Sequence, residues 1–462
     1  MASNGTRPFR VVIVGSGPSG FYAAEALLKD ASVRVEVDML DRLPVPYGLV
    51  RGGVAPDHQK IKGVIKVYEK TASYPRFRFY GNVKVGADLS VDDLRRLYDA
   101  VVLAVGAEGD HHMDIPGEGL PGSHAATEFV GWYNGHPDYH DRRFDLSCES
   151  VAVVGIGNVA MDVTRILASD PEELAKTDMA DYAVEALRAS RVKDIWLLGR
   201  RGPVQAAFSP AEITELGELS SADLVVRPED VALDEASRED LARADASAKK
   251  NVEFLQKAAA RGEGSRGRKV RLRFCVSPVE LIGEGGRVGA ARLERNALKR
   301  DAKGAVKARG TGEFETVKVG LVLRSVGYFG VPLPGVAFDT ERGVFPNAGG
   351  RLLESAGGPV ICGEYVVGWA KRGPSGLIGT NRACSTETAA RILEDLKAGL
   401  APGRGAAEAE AFLRSRKADL VSFADWKRLD ALELSRGQAA GKIREKFTTV
   451  GSALEALKTA RI

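Results

Sequence analysis

The sequence predicts an α/β protein with two parallel-sheet domains, the second inserted into the first. Three observations carry that prediction. Val11 to Val14 is an apolar, β-branched run that breaks into Gly15-Ser-Gly17-Pro-Ser-Gly20. A helical apolar pattern to Lys29 and a strand-like run from Val33 to Leu40 follow, closed by Asp41. Val151 to Val154 then breaks into Gly155-Ile-Gly157-Asn-Val-Ala160 and repeats the order strand, glycine turn, helix, strand, the last at 194–199. The copies end differently, the first in Asp41 and the second in Arg200-Arg201. Each is the Rossmann-like dinucleotide fingerprint, and two copies mean two dinucleotides.

Bulk properties narrow the classes. The 462 residues hold two or three domains. A net charge of +3 argues against nucleic acid or membrane as partner. No apolar stretch reaches the roughly 18 residues that a membrane span needs. The residues before the first strand carry no targeting pattern, so the expected location is cytoplasmic. Cys148, Cys275, Cys362 and Cys384 are far apart and form no CxxC. That argues against a disulfide framework, an iron–sulfur site, a structural zinc or a redox dithiol.

In the first fingerprint, Gly15 permits the tight turn, Gly17 lets the backbone approach a pyrophosphate, and Gly20 lets the helix pack on the strand. Pro18 and Ser19 open that helix, whose N–H groups and positive dipole end face the phosphates. Asp41 falls where a carboxylate meets an adenosine ribose hydroxyl. Prolines and glycines at 44, 46, 48, 52, 53 and 56 forbid a regular element after it. The stretch is apolar all the same, as the floor of a flat aromatic cofactor would be, and His58 lies just past it. A helix is expected at 61–72, a strand at 77–85, a short helix at 89–97 and a buried strand at 98–107. The last ends in Gly106, at the crevice where cofactors bind in open α/β sheets. Residues 108–147 read as a crossover between domains.

In the second unit Ala160 replaces the third glycine, and a helical insertion fills 171–188. Two guanidiniums at the end of its second strand suit a 2′-phosphate, as Asp41 does not. At about 1.5–3 kcal/mol per charge-assisted hydrogen bond, the pair favours NADP over NAD by roughly a hundredfold. The second site is therefore the NADP site and the first the FAD site. Ser209, Pro210 and Glu212 form a capping-box pattern, and Glu215 one turn on can partner a nicotinamide amide. Residues 230–268, with Lys269 just beyond them, carry Lys249, Lys250, Lys257, Arg261, Arg266 and Arg268. They are a solvated face by default and a dock for a small acidic protein on the sharper reading. Antiparallel strands are expected at 271–276, 279–282 and 287–298, and a buried strand at 319–327. An apolar run at 360–369 leads through a glycine-rich segment to a helix at 387–397. The segment's N–H groups would steady negative charge on a reduced isoalloxazine, with Trp369 stacked nearby. Residues 398–410 read as a linker, and the last fifty as helices without identified chemistry. The boundaries expected are 1–106 for the first part of the FAD domain, 107–330 for the NADP domain and 331–462 for the remainder.

Four segments, VPYGLVRGGVAPDH (45–58), GNVAMDVTRIL (157–167), GRRGPVQAAF (199–208) and GWAKRGPSGLIGTN (368–381), closely resemble the adrenodoxin-reductase-type ferredoxin–NADP reductases, including actinobacterial members. The resemblance implies that Gly15, Gly17, Gly20 and Asp41 hold the FAD adenosine diphosphate. It implies that Leu49 lines the flavin with Trp369, Gly376, Leu377 and Ile378 around its ring. Asn158, Val159, Arg200, Arg201 and Glu212 would bind NADP, with Gly376 touching both cofactors, and His58 and Glu215 would form a polar pair near the hydride path. The activity implied is hydride transfer from NADPH to flavin N5, then single electrons to an acidic ferredoxin-type iron–sulfur protein, met transiently by a monomer. Among rivals, a disulfide reductase needs the missing CxxC. A flavin monooxygenase would show oxygen-dependent turnover of an organic substrate, and a non-catalytic redox sensor would pass electrons to nothing.

Overall fold

The computed structural model describes residues 7–302, 304–400 and 408–459. Most of the linker expected at 398–410 thus lies outside the described residues.

One sheet has eight strands, in the order Asn347–Ala348, Arg351–Leu353, Val360–Val366, Ala100–Leu103, Phe9–Val14, Val35–Leu40, Phe77–Gly81, Val421–Ser422. The five from Val360–Val366 to Phe77–Gly81 are parallel. Their near-continuous apolar runs follow from burial on both faces. Helices Pro18–Lys29 and Ile378–Lys397 share the core on one side, where Phe21, Leu27, Ile392 and Leu396 meet. The second sheet has six parallel strands, in the order Ser123–Ala125, Leu321–Arg324, Ser150–Val154, Asp194–Leu198, Arg268–Arg273, Ala222–Val226. All of its strands come from chain between those of the first sheet. The two crossings of the chain run side by side, Gly109–Asp110 pairing antiparallel with Tyr328–Phe329.

Several expectations change. Residues 271–276 are not antiparallel; Arg268–Arg273 is a parallel strand between two others. Its alternation arises because Arg271 meets Asp194 and Arg273 meets Asp230, while Val270 and Leu272 enter the core. The antiparallel sheet consists of Val276–Glu284, Arg287–Arg300 and Val306–Lys318. The expected helix at 387–397 is longer, starting at Ile378. The one at 61–72 is broken at Gly63 into Gln59–Lys62 and Ile65–Ala72. The strand expected at 77–85 stops at Gly81, because Asn82 turns with φ +64°. The crossover at 108–147 contributes Ser123–Ala125 to the second sheet and a helix, Ala126–Tyr133.

The C-terminal region fastens the loop after Asp41. Trp426, on helix Phe423–Ala439, donates from Nε1 to the Tyr47 hydroxyl (3.2 Å). That helps hold Tyr47 at φ +87°, a region bulky side chains avoid. Glu433 of the same helix is buried between Arg51 (2.5 Å) and Arg444 (2.7 Å). Burial pushes its carboxyl up, but the two guanidiniums hold it below the ordinary range. Glu433→Ala strips Arg51 of its carboxylate, while Arg444 keeps only Asp430 (2.6 Å). It is expected to cost about 3–5 kcal/mol, read from urea unfolding. Because the folded value is depressed, this stabilisation is present above the unfolded value and lost as pH falls through the folded one.

Candidate functional site

Each glycine turn sits at the carboxyl end of a parallel strand, and the glycines divide into two kinds. Gly15 (φ +109°) and Gly155 (φ +129°) need left-handed backbone, and a side chain on either would strike a carbonyl, of Ala104 or Ser325. Gly20 is closed by the Gly15 carbonyl. Gly17 and Gly157 are different. Their backbones are extended (φ −74° and −102°), which any residue adopts, and an added Cβ would meet nothing within 4 Å. Neither local conformation nor packing inside the chain requires glycine there. A ligand drawn against the backbone does, and the N-termini of helices Pro18–Lys29 and Asn158–Ala168 suit a pyrophosphate. The residues present therefore fit two dinucleotides.

Around the first cradle, Gly48 closes on the Cα of Gly17, Tyr47 N–H donates to the Ser16 carbonyl (3.0 Å), and Gly368 abuts Ser19. The loop after Asp41 and the C-terminal segment therefore flank the same turn. Asp41 accepts from Ser16 N–H (2.9 Å), the Ser16 hydroxyl and Leu43 N–H (2.9 Å), which ties the strand end to the turn. Gly106 has φ +72° and open space beside it. Leu49 and Leu377 are 42% and 64% exposed, large apolar side chains left uncovered at this edge. Trp369 donates from Nε1 to the Ser375 carbonyl (3.2 Å) and lies against Tyr328 at 5.2 Å between ring centres. Gly376 (φ +78°) precedes Leu377 and Ile378 at the start of the long helix.

Around the second cradle, Asn158 Oδ1 accepts from Ser209 N–H (3.0 Å) and half-buried Val159 packs on the core. The capping box forms only in half. The Ser209 hydroxyl accepts from Glu212 N–H (3.4 Å), but Ser209's own N–H is taken by Asn158. This frees the Glu212 carboxylate to turn elsewhere. Arg200 and Arg201 line a cavity of about 490 Å³ with Ser277, Asn296, Lys307 and Arg309. The arginines' carbonyls are held by Asn296 Nδ2 (2.9 Å) and Cys275 N–H (3.0 Å), and burial and Arg200 lower the Arg201 guanidinium's proton affinity. Three of the seven basic residues of the expected acidic-partner dock meet a carboxylate. Arg266 and Lys269 both meet Asp223 (2.7 Å each), and Lys257 meets Glu253.

His58 and Glu215, 157 residues apart, come together at 2.9 Å between Nε2 and Oε2. Sequence reasoning missed what surrounds them. Arg165 pairs with Asp57 and with Asp162 (2.5 Å), and its NH2 group lies 3.5 Å from His58 Nδ1. The signal was present: Asp162 and Arg165 are charged residues spaced i, i+3 in an otherwise uncharged helix. Burial and the carboxylates of Glu212 and Glu215 push Asp162 up to about 7, against the pull of His58 and Lys62. A folded value above the unfolded one means that the contribution of this carboxyl to stability is full at low pH and is lost as pH rises toward 7. The loss is expected at about 1 kcal/mol per pH unit between pH 4 and 7, and Asp162→Asn should abolish that slope in melts across the range.

Two sheets, one wholly parallel and one parallel at its centre, each opening on a glycine cradle, define a pyridine-nucleotide oxidoreductase of the two-dinucleotide kind. The family described as "Pyridine nucleotide-disulphide oxidoreductase" matches residues 9–188. More narrowly, the chain belongs to the NADPH–ferredoxin and NADPH–adrenodoxin reductases. It is 45% identical over 459 residues to the NADPH-ferredoxin reductase FprA of Mycobacterium tuberculosis, covering 97% of this chain and 99% of the relative. It is 43% identical to the human mitochondrial NADPH:adrenodoxin oxidoreductase, covering 95% and 90%. A solved structure of Mycobacterium tuberculosis FprA in complex with NADPH superposes with a TM-score of 0.93 at 43% identity, covering 98% of this chain and 100% of that one. The four cysteines are free thiols. Among the described residues no helix is long and apolar enough to cross a membrane.

Proposed function

We propose that this chain is an FAD-dependent NADPH–ferredoxin reductase that draws electrons from NADPH and delivers them singly to an iron–sulfur protein of ferredoxin type. The observation that carries the reading is the pair of Cβ-free, extended glycines, Gly17 and Gly157, each at a helix N-terminus on its own sheet. FAD, when bound, supplies the step between a two-electron donor and a one-electron acceptor.

The chain's residues have defined parts in this reading. Gly15, Gly17, Pro18, Ser19, Gly20 and Asp41 hold the FAD diphosphate and ribose. Leu49, Gly106, Trp369, Gly376, Leu377 and Ile378 enclose the ring, and the N–H groups at the start of helix Ile378–Lys397 face its electron-rich edge. Asn158, Val159 and Glu212 position the nicotinamide half of NADP, while Arg200 and Arg201 take the 2′-phosphate. His58 and Glu215 orient the nicotinamide through their mutual hydrogen bond, and Arg165 holds the imidazole in place from its other nitrogen. The domain boundaries proposed are those of the two sheets, with the NADP domain inserted. A monomer meeting an acidic partner transiently suits the near-neutral charge of the chain.

The test is direct. The purified chain should be yellow and should couple NADPH oxidation to cytochrome c reduction only when a ferredoxin is added. A folded, colourless protein, or NADPH turnover indifferent to ferredoxin, would overturn the proposal.

A further inference from the structure

We infer that His58, Glu212 and Glu215 form a site for a divalent transition-metal ion of the Zn2+ class between the two domains. The inference rests on the proposed function only for its consequence, that the metal and the nicotinamide exclude each other.

Among the described residues this is the one group of three or more metal-type side chains whose ligand atoms come close. One atom of each lies within 4.8 Å of the others. His58 Nε2 and Glu215 Oε2 are already 2.9 Å apart. Glu212 supplies an independent observation. Its side chain is 8% exposed, and its Oε2 accepts no hydrogen bond. A buried carboxylate oxygen without a donor is costly, and a cation removes that cost.

Local charge points the same way. Asp57, Asp162, Glu212 and Glu215 surround a single guanidinium, Arg165. Arg165 is committed to Asp57 and Asp162, and its Nε lies 3.9 Å from Glu215. Among the described residues Glu212 is thus left without an ion pair. Zn2+ bonds to nitrogen and oxygen at about 2.0–2.2 Å in tetrahedral array, so its ligands stand roughly 3.5 Å apart. Reaching that array requires His58 and Glu215 to part slightly and Glu212 to close. Three protein ligands leave a fourth position for water. The imidazole favours Zn2+ over Mg2+, which keeps its water and prefers oxygen. His58 comes from the flavin side and the two glutamates from helix Pro210–Gly217 on the nucleotide side, so the ion would bridge the domains where the nicotinamide must pass.

The experiment titrates Zn2+ into the flavin-bound protein without nucleotide, with free metal followed by a chromogenic chelator. One equivalent per chain is expected. His58→Gln and Glu212→Gln should each weaken binding at least about tenfold, and saturating NADP+ should displace the ion. If either variant melts differently from the parent, Glu215→Gln takes its place. Stoichiometric binding that survives these substitutions, a bound ion indifferent to NADP+, or no stoichiometric site at all would overturn the inference. A protein that binds NADP+ but no Zn2+ sinks this inference alone. One that binds no NADP+ sinks the proposed function.

Discussion

Gly157→Val is expected to give a folded, yellow protein that NADPH no longer reduces. The backbone at Gly157 is extended (φ −102°, ψ 175°), a conformation valine favours, and its Cβ would point into open space. An added Cβ meets nothing within 4 Å and the N-cap preference against valine is small, so the melting temperature should stay within a few degrees of the parent's. The added isopropyl group occupies the ground a pyrophosphate needs. A displacement of about an ångström at a reacting centre costs on the order of a hundredfold, and exclusion costs more. NADPH-driven bleaching of the flavin should slow by at least that factor, while dithionite still bleaches it. The companion Gly17→Val, built on the same geometry at the other cradle, should fold without colour. A colourless Gly157→Val, or a yellow Gly17→Val, would exchange the two assignments.

Arg200→Ala with Arg201→Ala should lower the preference for NADPH over NADH by roughly a hundredfold, mostly by raising KM for NADPH. Among the described residues neither arginine forms an ion pair, although Glu294 and Asp301 line the same cavity, and burial beside Arg200 makes Arg201's charge costly without an anion. Their backbone is fixed by Asn296 and Cys275, so removing the side chains should leave the turn in place. The check is steady-state kinetics with both coenzymes at low and high salt. Loss of activity with NADH in equal measure would place the pair in folding rather than in phosphate recognition.

The glycine turns show how far local sequence reaches. Val11 to Gly20 and Val151 to Ala160 could be read because a strand, a left-handed glycine and a helix start are set by residues a few positions apart. Where long-range partners decide, local reading failed. Arg268–Arg273 alternates like an antiparallel edge, yet it lies between two parallel strands because Asp194 and Asp230 neutralise its arginines. Helix Ile378–Lys397 begins nine residues before its apolar pattern becomes clear, since its first turns bury polar residues, Asn381 and Ser385, where an apolar stripe would be looked for. Glu212 read as a cap, and only the Asn158–Ser209 hydrogen bond shows why its carboxylate is free.

The sequence by itself determined the two nucleotide cradles, the arginine pair that distinguishes them and the order in which one sheet is nested in the other. Those depend on residue type and spacing over about thirty positions, the length of one strand–helix–strand unit. Only the tertiary structure decided the polar cluster around His58 and Glu215 and the fastening of the loop after Asp41 by the C-terminal helix. His58 meets Glu215 across 157 residues, and Arg51 meets Glu433 across 382. Contacts of that range leave no periodicity in the chain. They are fixed by how two sheets and a terminal helix bury their apolar faces, and buried charge then pairs with whatever that packing brings within reach.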